Sequence, residues 1–240
     1  MSDVLVLCYH AVSPDWEADL SVRPEALDRQ LAMLRRRGYR GATFSRALTE
    51  PPARRTASIT FDDSYRSVMN VARPILERHG FPGTVYVPTA HAGAERPMSW
   101  PGIDHWIGTP HEQELTPMSW DELRELANAG WEIGSHTRTH PHLTQLGDDE
   151  MARELGDSRM EVEDALGLPC DTIAYPYGDV DDRVTAAARA AGYRHAAALP
   201  GRWHAPRPLE WPRVGVYQAD SPWRFRLKAS AAGRRLRALL

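Results

Sequence analysis

The 240 residues, 42% of them hydrophobic, can bury one large core and fit one α/β barrel or two small domains. The 29 basic and 32 acidic residues leave a net charge of −3, which excludes a generally basic surface, so no nucleic-acid partner is expected. Two cysteines, Cys8 and Cys170, are too few for a disulfide framework and read as free, buried thiols. MSDVLVLCYH lacks the basic stretch of a signal peptide, and no window holds the roughly 18 apolar residues of a membrane span. The expected location is cytoplasmic, with a leader removed before residue 1 left open.

In chain order, DVLVLCYH predicts a strand, and RPEALDRQLAMLRRRGY a helix with Leu27, Leu31 and Leu34 on one face and Gly38 near its stop. The loop PPARRT leads to the strand ASITFDD, the helix YRSVMNVARPILERHG and the strand GTVYVPT. Residues 91–119 show no clear period and predict a long loop, functional or mobile, containing Trp100, His105, Trp106 and His111. WDELRELANAG then reads as a helix, WEIGSH as a strand, EMARELGDSRMEVEDALG as a helix and DTIAYPYG as a strand. VTAAARAAGYRHAAAL reads as a helix leading towards a further strand. This alternation argues for a parallel sheet covered by helices. A barrel is favoured over an open dinucleotide-binding sheet, because no glycine-rich fingerprint follows the first strand.

Each apolar run ends on a group capable of chemistry: His10, then Asp62 with Asp63, then His136, then the stretch from Tyr175 to Gly178. Parallel barrels draw catalytic groups from the C-terminal ends of several strands, so these residues are expected to converge on one face. His136 and His140 stand four apart in GSHTRTHPHL, where glycine, threonine and proline favour a turn. Two imidazoles and one carboxylate make a three-ligand set suited to catalytic zinc, while a polar surface loop would account for the histidines alone. Adjacent buried carboxylates repel, and a divalent cation resolves the conflict if one ligates it and the other acts as base. A helix N-cap at Asp63 or Ser64 is the plainer alternative. His10 closes an apolar strand and could be a satisfied core histidine; His79, His91, His142, His195 and His204 read as surface residues.

At these residues the chain resembles the polysaccharide deacetylases with a NodB-type domain, the fourth carbohydrate-esterase family, over roughly residues 3–217. TFDDSY resembles the family's first motif, usually TFDDGY, which implies Asp62 as base and Asp63 as metal ligand. SHTRTH resembles the second and implies His136 and His140 as the other ligands. IAYPYGD is similar to the third motif in the subgroup reading FAYPYG, implying that the Tyr177 backbone N–H binds the oxyanion with Tyr175 and Pro176 beside the substrate. CYHAV resembles the N-terminal YH motif of a subgroup with circularly permuted motif order, exopolysaccharide deacetylases among them, which implies His10 as catalytic acid.

The resemblance implies a distorted (β/α) barrel, commonly of seven strands, spanning residues 1–219. It also implies Zn2+ or another divalent transition metal as cofactor and hydrolysis of N-acetyl groups from amino sugars. Two departures stand out. Ser64 replaces the usual glycine, and the third motif lacks the arginine that orients the base in other branches, a place that Arg213 could fill. Trp100, Trp106 and Trp211 are candidate sugar-contacting aromatics, with core packing as the alternative.

Residues 220–240 form a basic tail, six cations without an acid from Ser221 onward. As one helix it would set Trp223, Leu227, Leu236 and Leu240 against arginines, compatible with an anionic membrane surface or, more simply, with a helix closing the barrel. The expected partner is an N-acetylated glycan, with membrane contact through 221–240 as an addition. The competing functions are a catalytically impaired carbohydrate-binding protein and a carbon–nitrogen hydrolase acting on a small non-sugar amide.

Overall fold

The computed structural model describes residues 3–200 and 205–237. The expectations placed on His204 and Leu240 lie outside them. β1 (Asp3–Tyr9) is followed by the short strands β2 (Ala11–Val12) and β3 (Ser21–Val22), then α1 (Pro24–Arg36), β4 (Arg40–Gly41), α2 (Phe44–Thr49) and β5 (Arg55–Phe61). A π-helical stretch, Val68–Ala72, runs into α3 (Arg73–His79) and then β6 (Gly83–Val87). Next come α4 (Trp120–Asn128), β7 (Glu132–Ser135), α5 (Asp148–Leu166), β8 (Thr172–Ala174), α6 (Asp182–Ala190) and β9 (His195–Ala198). β10 (Trp211–Pro212), β11 (Val214–Gly215), α7 (Pro222–Lys228) and α8 (Ala231–Arg237) complete the described chain.

The main sheet runs β10, β9, β8, β7, β6, β5, β1, β11, with β4 beside β5, and every pairing in it is parallel. That path holds eight strands against the seven expected. The difference is small, because β10 and β11 are halves of one segment interrupted at Arg213. The Arg213 N–H donates to the Ala198 carbonyl at 3.0 Å, and the Val216 N–H donates to the Cys8 carbonyl at 2.9 Å. One segment therefore pairs with β9 and then with β1, closing the sheet into a distorted (β/α) barrel.

Side chains alternate along each strand, and the two faces of β1 differ accordingly. Leu5, Leu7 and Tyr9 join the large core between the strands and the helical sleeve, to which α1 contributes Leu27, Leu31 and Leu34. Val6 instead meets Tyr86, Ala174 and Ala197 from three other strands in a second cluster inside the barrel, and Phe44 of α2 plugs its lower end. The interior is tight: a Cβ on Gly134 would stand 2.6 Å from Thr172 Oγ1 and 2.7 Å from the Tyr86 ring. The irregular stretch after β6 is packed against the main core through the buried Met98, Trp100, Ile103, Leu115 and Met118.

Two expected elements change. The helix read over VTAAARAAGYRHAAAL stops at Ala190, Gly192 turns the chain at φ 96°, and His195–Ala198 pairs beside β8 as strand β9. The tail expected as one helix is two, because Ser230 interrupts it and its Oγ accepts from the Gly233 N–H at 2.9 Å as an N-cap does. Phe225 and Ala229 are buried, whereas Trp223 is 66% and Leu227 48% exposed. Lys228 pairs with Asp220 at 2.6 Å, and Arg234 pairs with Asp3, so part of the tail's positive charge is neutralised within the fold. No helix among the described residues is long and apolar enough to cross a membrane.

Candidate active site

Parallel pairing puts the C-terminal ends of β1, β5, β7 and β8 at one end of the barrel, where a cleft of about 340 Å³ opens. His10, Asp62, Asp63, His136 and His140 all line it. The pairing of Tyr9 with Phe61, followed by a 3.0 Å bond from the Asp62 N–H to the Tyr9 carbonyl, brings His10 level with Asp62. Beyond the strand ends the backbone bends sharply. Asp63, Ser64, Thr137, His140 and Tyr177 have φ between 53° and 67°, and they are the described non-glycine residues with positive φ. Such conformations persist where the surroundings enforce them, and here all five lie around one site.

Asp62 and Asp63 have different partners. Asp62 receives a bidentate pair from Arg213, with Nη1 to Oδ1 at 2.6 Å and Nη2 to Oδ2 at 2.7 Å, and the Cys8 thiol faces Oδ2 at 3.4 Å. Burial raises the Asp62 carboxyl pKa, but the Arg213 charge, His136 and the Arg213 hydrogen bond outweigh it and bring it to about 2. Asp62 is thus ionised and fixed in orientation. Arg213 Nη1 also donates to Thr60 Oγ1 at 3.0 Å, a contact inside the barrel.

Asp63 Oδ1 lies 3.3 Å from His140 Nε2 and 3.4 Å from His136 Nε2, yet it is buried without a hydrogen-bond partner. His136 Nδ1 stands 2.8 Å from the Ala174 carbonyl, which only accepts, so Nδ1 carries a proton and Nε2 is the nitrogen that faces Asp63; burial would lower this imidazole's pKa, but the Asp62 and Asp63 carboxylates outweigh it and raise it. Burial pushes the His140 imidazole pKa down, towards the neutral form a ligand requires. Burial would raise the Asp63 carboxyl, but the two facing imidazoles more than offset it and hold it well below the ordinary range. An orphaned carboxylate oxygen between two ring nitrogens, all within 4.8 Å of one another, fits a divalent cation with one oxygen and two nitrogen ligands.

The alternative reading of Asp63 or Ser64 as an N-cap is corrected. Caps have extended backbone, whereas these residues stand at φ 67° and 53°, and Ser64 Oγ is buried without a partner. Trp100 reaches the cleft and stacks on His140 at 4.3 Å between centroids; Tyr175 lines the wall, its hydroxyl donating to the Leu209 carbonyl at 3.0 Å. Tyr177 stands at the rim with its ring stacked on His142 at 3.9 Å, and Pro176 is buried at the start of that turn. His142 is therefore a half-exposed rim residue, its Nδ1 3.5 Å from Asp179, and His91 packs edge-on against Trp100 at 5.2 Å.

Two tryptophans are not brought to the cleft. Trp106 packs edge-on against Trp16 at 5.7 Å, at the margin of the main core. Trp211 begins β10 and packs on the cluster of Val6, Phe44 and Tyr86 at the opposite end of the barrel. Cys8 and Tyr217 were missed as site neighbours. Period-two alternation from His10 back to Cys8, and from Arg213 forward to Tyr217, is the signal that could have found them.

The sequence profile described as polysaccharide deacetylase matches residues 49–196, more than half of the 240-residue chain. The chain belongs to the polysaccharide deacetylase family. YxkH of Bacillus subtilis strain 168 is 27% identical over 194 residues, covering 79% of this chain and 62% of that protein. A poly-β-1,6-N-acetyl-D-glucosamine N-deacetylase of Staphylococcus aureus strain MRSA252 is 25% identical over 155 residues, covering 61% of this chain and 48% of that protein. BC0361, a polysaccharide deacetylase from Bacillus cereus, superposes with a TM-score of 0.77 at 26% identity, covering 95% of this chain and 69% of that structure. This family member spans less than two thirds of the length of those two curated relatives. The barrel is the one the polysaccharide deacetylase fold predicts.

Proposed function

We propose that the chain is a metal-dependent hydrolase that removes N-acetyl groups from amino sugars of a polysaccharide, oligosaccharide or lipid-linked glycan, releasing acetate. The observation that carries this reading is the unpartnered Asp63 Oδ1 between His136 and His140, beside an Asp62 held ionised by Arg213. Asp63, His136 and His140 would hold Zn2+ or another divalent transition metal, which when bound supplies Lewis acidity towards the acetyl carbonyl and the attacking water.

Asp62 takes a proton from that water as its oxygen bonds to the acetyl carbon, and Arg213 keeps the carboxylate aimed at it. The Tyr177 backbone N–H, in the left-handed turn at the rim, is the proposed donor to the oxyanion. His10 delivers a proton to the nitrogen as the carbon–nitrogen bond breaks, leaving acetate and a free amine. Trp100 and Tyr175 form the apolar wall against which a sugar ring would rest. The Staphylococcus aureus relative makes a β-1,6-linked N-acetylglucosamine polymer the first substrate to test.

The test is acetate release from that polymer, chitin oligomers, peptidoglycan fragments and lipid-linked N-acetylhexosamines. Turnover of at least one is expected. Metal uptake without acetate from any would favour a carbohydrate-binding protein, and turnover only of small amides would favour a different carbon–nitrogen hydrolase. The exposed Trp223 and Leu227 beside the exposed Arg224 and Arg226 support a contact with anionic membrane surfaces, which vesicle pelleting tests.

A further inference from the structure

The turn that carries His140 is bent against the preference of its own residues, with Thr137 at φ 65° and His140 at φ 64°. Within the turn the His140 N–H donates to Thr137 Oγ1 at 3.1 Å, and the surrounding structure holds the rest. On one side the short helical turn after β6, Thr89–His91, does so: the Thr89 and Ala90 N–H groups donate to the Thr137 and Arg138 carbonyls at 3.1 and 2.9 Å. On the other side stands Glu154, buried on α5, fourteen positions after His140. Its Oε2 accepts from the backbone N–H of Arg138 and of Thr139, both at 2.8 Å, and its Oε1 accepts from the Thr139 hydroxyl at 2.7 Å. Two successive amides and a hydroxyl thus converge on one carboxylate, the charge-assisted arrangement that fixes geometry most firmly.

We propose that Glu154 is a positioning residue for the metal site: by holding the amides of Arg138 and Thr139 it fixes the direction in which His140 Nε2 faces Asp63. The inference rests on the metal-dependent reading given above. His140 Nδ1 is buried without a hydrogen-bond partner, so the ring takes its orientation from the backbone beneath it and from the rings of Trp100, Tyr177 and His136 packed around it. Glu154 controls the first of these. Nothing near the SHTRTH segment announces it, since the carboxylate lies on the next helix.

The experiment is Zn2+ affinity of the full chain, measured by competition with a chromophoric chelator, alongside thermal unfolding of the metal-free protein. Glu154→Ala is expected to weaken Zn2+ binding about 10–100-fold, the range typical of partners that orient metal ligands. Glu154→Gln, whose amide oxygen can still accept both N–H groups, retains most of the affinity. Glu163→Ala removes a carboxylate of the same helix that binds Arg159 and the Cys170 N–H, and it leaves Zn2+ affinity unchanged whatever it does to stability. If Glu154→Ala does not fold, Thr139→Val, which deletes only the hydroxyl donor, carries the same expectation in smaller measure. Affinity of the folded Glu154 variant equal to wild type, or an equal loss in Glu163→Ala, overturns the inference. A wild-type chain that takes up no Zn2+ overturns the proposed function itself.

Discussion

Ser64 occupies a left-handed backbone position at φ 53° where its side chain gains nothing visible, since Oγ is buried without a partner. Left-handed φ costs a non-glycine residue roughly 1–2 kcal/mol, and glycine gives back part of that gain through its freer unfolded chain. Ser64→Gly should therefore raise stability by about 1 kcal/mol in urea unfolding; an unchanged or lower midpoint would mean that the hydroxyl makes a contact of its own. The acids and histidines of the cleft were legible because each ends an apolar run, a local pattern. Arg213 could be named only by its late position, because its bond to Asp62 spans 151 residues and exists only once the barrel closes. Trp106 and Trp211 could not be told from cleft aromatics, since a tryptophan in a core and one at a sugar site look alike in a sequence.

At the level of elements, strong periodicity was readable and alanine was not. The stretch HAAAL favours helix by propensity, yet between β8 and β10 the small side chains fit the crowded barrel interior and the stretch pairs as a strand. Two-residue strands such as β2, β3 and β4 leave no period to detect. The tail shows how packing divides a basic segment, because Phe225 and Arg234 anchor it while Trp223 and Leu227 face outward one turn apart on α7. Cutting the tail away would remove those anchors, so Trp223→Ser with Leu227→Ser is the cleaner variant. It should lose pelleting with anionic vesicles that the wild type shows; equal pelleting of both proteins would reject the membrane contact.

Across the whole molecule, closure of the barrel creates the candidate site. β5 supplies Asp62 and Asp63 at its end, β7 leads to His136 and His140, β1 leads to His10, and the segment joining β9 to β1 inserts Arg213 beneath them. The parallel architecture was legible from alternating strands and helices, whereas the closing segment was not, being split between two neighbours. The central claim is that Asp63, His136 and His140 hold a divalent metal while Asp62 moves the proton. Its most direct test is acetate release from an N-acetylated glycan by wild type and by Asp62→Asn, each stripped by chelator and then restored with Zn2+. Wild-type release should vanish on stripping and return with Zn2+, while Asp62→Asn should bind Zn2+ normally and release acetate about 10²–10⁴-fold more slowly. Release that survives stripping, or an Asp62→Asn variant as fast as wild type, would contradict the account.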